Sequence, residues 1–117
     1  MNEKSNDNAL NDFLASMDKE DRDVVERAIQ FGIDQVRLLG ITYTKEEEYV
    51  NQLVSIQSFC IIKYTLSDDD KYLNYIKRLL DICPISLVPF LEERRDATFM
   101  RLCLKQNGVD TRNVIIW

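Results

Sequence analysis

Four successive segments of this chain carry apolar side chains at spacings of three and four residues, and each is opened by capping residues or closed by a helix breaker. At about 100° per residue, that spacing gathers the apolar positions onto one face of a helix. Hairpins and tight turns draw heavily on glycine and proline, and the chain has only 3 and 2 of them. Its 117 residues, 45% of them apolar, supply one core of ordinary size. The pattern predicts an all-α fold: a compact bundle of four main helices plus a short N-terminal helix, followed by a short apolar C-terminal tail. Residues 1–8 read as a flexible N-terminus, residues 9–108 as a single helical-bundle domain and residues 109–117 as the tail.

The boundaries follow from local chemistry. Leu10, Phe13, Leu14 and Met17 recur at helical spacing and make the short first helix. Asp18 opens the second, where acids accept bonds from free amides and favour the positive end of the helix. Gly40 stops it. Gly32, inside its apolar arc, is expected to permit close approach of a neighbouring helix. Thr44 and Glu47 form a T-x-x-E capping box for the third helix, which runs to about Thr65 and is apolar nearly all round at Phe59-Cys60-Ile61-Ile62. Ser67 is expected to cap the fourth, with Asp70 at its third position, and Pro84 to end it. The fifth begins between Ser86 and Pro89 and runs to Asn107 before Gly108. Short connections make successive helices near-antiparallel neighbours. The third and fifth are expected near the centre.

Composition removes several function classes. A net charge of −5 opposes broad binding to nucleic acid or anionic membrane, which needs a basic face, and no apolar run reaches the roughly 20 residues that span a bilayer. The chain has no histidine, so Ser-His and Cys-His nucleophilic arrangements are unavailable, and no phosphate-binding glycine loop occurs. The acidic runs at Asp18-Asp23, Glu46-Glu48 and Asp68-Asp70 suggest calcium or magnesium at first sight, but each lies at a helix start, where capping accounts for it. No catalytic residue, cofactor or metal site is expected. Cys60, Cys83 and Cys103 are odd in number and embedded in apolar stretches, which reads as three buried thiols in a reducing compartment, the cytoplasm of a bacterium or of a host cell.

What remains are contact residues. Phe31 and Leu38 border an apolar arc on the second helix that exceeds half its circumference, wider than one neighbour requires. Tyr72 and Tyr75 combine apolar area with a polar tip, as interface anchors do, although core packing is the simpler account of them. Trp117 ends an apolar tail that must pack somewhere to escape water. Arg94, Arg101 and Lys105, with Thr98, form a basic stripe on the fifth helix suited to an anion or an acidic peptide. These features point to a small acidic protein-binding module, an adaptor, inhibitor or immunity-type protein whose acids steer it to a basic partner surface. The alternative is a homo-oligomeric structural or assembly subunit. A third reading, a nucleic-acid-associated regulator, rests on the basic stripe alone.

Overall fold

The computed structural model describes residues 6–108. The expectations for the first five residues and for the tail at 109–117, Trp117 included, lie outside the described residues. Five α-helices follow in order, α1 (Asn6–Ala15), α2 (Lys19–Leu39), α3 (Lys45–Ser67), α4 (Asp70–Asp81) and α5 (Val88–Gln106), with a 3-10 turn at Ile85–Leu87 before α5. No strand occurs among the described residues, and the expected all-α bundle of four main helices plus a short first one is the observed architecture.

The punctuation of the sequence sets most boundaries. At the end of α2, Gly40 adopts a left-handed φ of 69°, which lets its amide reach Arg37 O and the Ile41 amide reach Val36 O, both at 3.1 Å. This paired closure satisfies carbonyls that the helix end leaves free, at a backbone angle glycine adopts without steric cost. At the start of α3 the capping box is complete: the Glu47 amide donates to Thr44 Oγ1 at 3.1 Å, and the Thr44 amide donates to Glu47 Oε1 at 2.9 Å. Pro89 lies in the first turn of α5, where its missing amide wastes no bond.

Two boundaries differ from expectation. Asp18 precedes α2 without a side-chain cap, because its carboxylate is held by Lys71 Nζ at 2.7 Å instead. Ser67 does not cap α4. It is the last residue of α3, its hydroxyl donates back to Lys63 O at 2.7 Å, and the chain turns at Asp68 with φ 58°, a conformation aspartate tolerates better than most residues. Asp69 then caps α4, accepting from the Lys71 amide at 3.0 Å.

α3 is the hub, and α2, α4 and α5 each pack along it. Tyr49, Val50, Leu53, Ile56, Gln57, Cys60 and Ile61 are buried on its inner face. α4 contributes Tyr72, Tyr75, Ile76 and Leu79 at spacings of three, one and three, and α1 adds Leu10, Phe13 and Leu14, with Met17 just beyond its end. Two polar tethers fix the packing: Tyr49 donates to Ile82 O at 2.8 Å, joining the start of α3 to the end of α4, and Gln57 Nε2 donates to Leu91 O at 3.1 Å, joining α3 to α5.

α5 is a flank rather than a second centre. Only Leu91, Ala97 and Thr98 of α5 are buried, and Met100 and Cys103 face outward. The expectation of three buried thiols therefore holds for Cys60 and Cys83 and fails for Cys103. The cause is geometric, since α5 packs chiefly on α3 and position 103 lies about 140° round the helix from Thr98. Gly32 also differs: a methyl group there would sit 3.6 Å from Ser55 Oγ, an ordinary contact, so close approach does not demand glycine.

Candidate functional site

The apolar arc of α2 divides into two adjacent faces. Val25, Ile29, Gly32 and Val36 follow one another at helical spacing, with Val25 fully buried and the others half-buried toward α3. A second stripe lies roughly a quarter-turn away and comprises Val24, Ala28, Phe31, Gln35 and Leu38. Its large side chains stand in water: Phe31 is 65% exposed and Leu38 79%. Leu39, the last residue of α2, at 70%, and then Ile41 and Tyr43 continue the exposed apolar surface past the end of the helix. The polar residues Glu26, Gln30 and Asp34 occupy the remaining side, with Glu26 farthest from the outer stripe and Asp34 beside its edge, where Gln30 donates to Asp34 Oδ1 at 3.0 Å.

A hollow of about 130 Å³ opens where this end of α2 meets α3, lined by Ile29, Gly32, Val36, Tyr43, Asn51 and Ser55. Pockets for small molecules usually occupy about 300–1,000 Å³. This one fits a side chain.

Of the residues singled out from the sequence, Phe31 and Leu38 come together on one stripe of α2. Tyr72 and Tyr75 do not join them. They are 4% and 7% exposed and belong to the core, where Tyr72 meets Phe59 and Tyr75 edge to face, and Tyr75 meets Phe13 in the same way. Their spacing of three, matched to Ile76 and Leu79, turns both rings inward. They offer no outer face to a partner.

The basic stripe of α5 is also turned inward. Thr98, in its middle, is buried and donates to Arg94 O at 2.9 Å, while Arg94 and Arg101 are half-buried and engaged within the chain. Lys105 is exposed, beside a hollow shared with Ile62, Leu66 and Leu102. The three cations thus flank the seam between α5 and the bundle instead of crowning an open surface. The acidic runs sit at helix starts: Glu46, Glu47 and Glu48 fall in the first turn of α3, and Asp69 and Asp70 begin α4. Among the described residues no three acidic or thiol side chains converge as a metal site would require, and no helix is long and apolar enough to cross a membrane.

A buried polar clasp went unread in the sequence. Asp21, only 5% exposed in the first turn of α2, accepts the Tyr72 hydroxyl at 3.0 and 3.1 Å, with Lys71 Nζ 3.7 Å away. The clasp fastens α2 to α4 and orients Tyr72. Burial, and then the hydrogen bond to Asp21, push the Tyr72 phenol from the ordinary 10.0 up to about 12. Burial likewise lifts the Cys60 thiol from 9.0 to about 12, with the Asp21 charge adding to it, which leaves that thiol protonated and unreactive at neutral pH.

These raised values have a stability consequence. A group whose folded pKa lies above its unfolded one stabilises the fold fully below the unfolded value, and that contribution is lost as pH rises toward the folded one. Thermal stability is therefore expected to fall from about pH 9 to pH 12, the window spanned by Cys60 and Tyr72. Tyr72→Phe should remove the tyrosine share of that loss, and in an ultraviolet titration it should delete one late-ionising phenol. If the wild type and Tyr72→Phe differ by a phenol that ionises near pH 10, the assignment is wrong.

No family model matches the chain, and neither comparison with curated proteins nor comparison with solved structures returns a match. The geometry of the second α2 stripe is thus the observation on which a functional reading has to stand.

Proposed function

We propose that the chain is a small protein-binding module that acts through the outer stripe of α2 and the apolar surface running on to Tyr43. One observation carries this: the largest side chains of the stripe, Phe31 and Leu38, face water on an ordered helix while the same helix already has an apolar face packed on α3. A single exposed leucine is ordinary, but large apolar side chains repeated along one stripe of a helix, here interrupted only by Gln35, are the usual form of a helix-in-groove or helix-on-helix contact. The stretch from Glu26 to Tyr43 carries two acids, Glu26 and Asp34, and two bases, Arg27 and Arg37. It is locally neutral, so apolar burial rather than charge steering would drive the association, despite the net acidity of the chain.

Adaptor, inhibitor and immunity-type roles all fit a module of this kind, and the assembly-subunit reading differs from them only in what covers the stripe. The nucleic-acid reading gains nothing from Arg94 and Arg101, whose side chains lie along a packing seam.

The test is a photo-crosslinking amino acid placed at position 31 or 38 in the intact chain, in cells, with position 26 on the polar side as control. Crosslinked protein adducts should concentrate at 31 and 38. Adducts no more frequent there than at 26 would sink the reading.

A further inference from the structure

We infer that the occupant of this stripe is a second copy of the chain, lying antiparallel along α2. The inference rests on the contact reading above and names its partner.

The stripe Val24, Ala28, Phe31, Gln35, Leu38 steps by four, three, four and three residues, the spacing that places side chains along a helix–helix seam. Its residues alternate in size and character. When two such helices run antiparallel with residues 28 and 31 facing each other, the large Phe31 lies over the partner's Ala28 and the reverse holds by two-fold symmetry. Val24 then lies opposite the partner's Gln35. Large-on-small layers of this kind let side chains interdigitate, whereas a parallel arrangement would stack Phe31 on its own copy.

Charge selects the same register. Arg27 and Asp34 border the stripe on its solvent side, both exposed, and Arg27 makes no ion pair within the domain, since the ion pairs among the described residues involve Lys19, Lys71 and Arg95. In the register that matches Phe31 to the partner's Ala28, Arg27 meets the partner's Asp34. Symmetry supplies the second pair. Sliding the helices by one heptad brings Asp34 against the partner's Asp34, and the parallel arrangement pairs neither charge. In this register residues 21–38 of the two copies overlap and Leu38 lies beside the partner's position 21; the span carries four acids and three bases, so it adds little to the repulsion that two chains of net charge −5 would meet if they docked through an acidic face.

Sedimentation velocity and light scattering on the full chain, over a dilution series, should reveal a dimer. Arg27→Asp and Asp34→Arg should each weaken it about tenfold or more, because each places two like-charge pairs in the seam. The charge-swapped double variant should return to within about threefold of wild type, since it rebuilds both pairs. Both positions are exposed, and circular dichroism of each variant checks that the helices are intact. A chain that stays monomeric throughout, or single variants that dimerise as wild type does, would overturn the inference. So would a double variant no better than the singles. If the chain is monomeric while positions 31 and 38 still crosslink a different protein, the second copy is ruled out and the contact reading survives. If neither occurs, both fall.

Discussion

Truncating Leu53 to alanine is expected to destabilise the domain by about 2–5 kcal/mol, the range for emptying a fully enclosed leucine site. Leu53 is 0% exposed and lies on the inner face of α3, the helix against which α2, α4 and α5 all pack. Collapse around the missing methyl groups would have to move several helices at once. Domains of ordinary size have about 5–15 kcal/mol of total stability, so the loss is a large part of the whole. Leu38→Ala is the matched control. It removes the same atoms from a side chain that is 79% exposed and should stay within about 0.5 kcal/mol of wild type in the monomer. Urea unfolding, compared at constant slope, reads both. Equal costs at the two positions would mean that α3 is not the hub described.

Asp21→Ala is expected to cost about 2–3 kcal/mol, because it leaves the buried Tyr72 hydroxyl without its acceptor. The carboxylate also favours the positive end of α2 and lies near Lys71 Nζ, which adds to the loss. The informative comparison is the double variant Asp21→Ala with Tyr72→Phe. Removing both partners leaves no orphaned group, so the pair should cost clearly less than the sum of the single changes, a coupling of roughly 1 kcal/mol or more. Strict additivity would show that the 3.0 Å contact contributes nothing specific.

The helices were legible because their ends are written locally. Thr44 and Glu47, three residues apart, satisfy each other's amides without help from the rest of the chain, and Gly40 closes α2 through bonds to its own last turn. The excess width of the apolar arc on α2 was legible too, since it depends on that helix alone, and it marked Phe31 and Leu38. What the sequence left open was decided across distance. Asp21 reads as one more acid in a first turn, and only a tyrosine 51 residues away turns it into a buried clasp. Tyr72 and Tyr75 suit an interface as well as a core, with the core the simpler account, and only the placement of α3 and α1 against them decides it. On α5 apolar residues occur on both sides of the helix, so periodicity could not say which side would dock. The side bearing Leu91 and Thr98 did, which drew Arg94 and Arg101 inward and sent Cys103 out.

The three thiols divide accordingly into one that solvent reaches and two that it does not. A maleimide dye in native buffer should attach at position 103 alone, without any change to the sequence, and place a reporter on the outer side of α5. Cys60 and Cys83 lie within the packing of α3 and α4, so a second and third label can attach only when that packing opens. Counted by mass over time, they make the domain its own clock for the opening of its core.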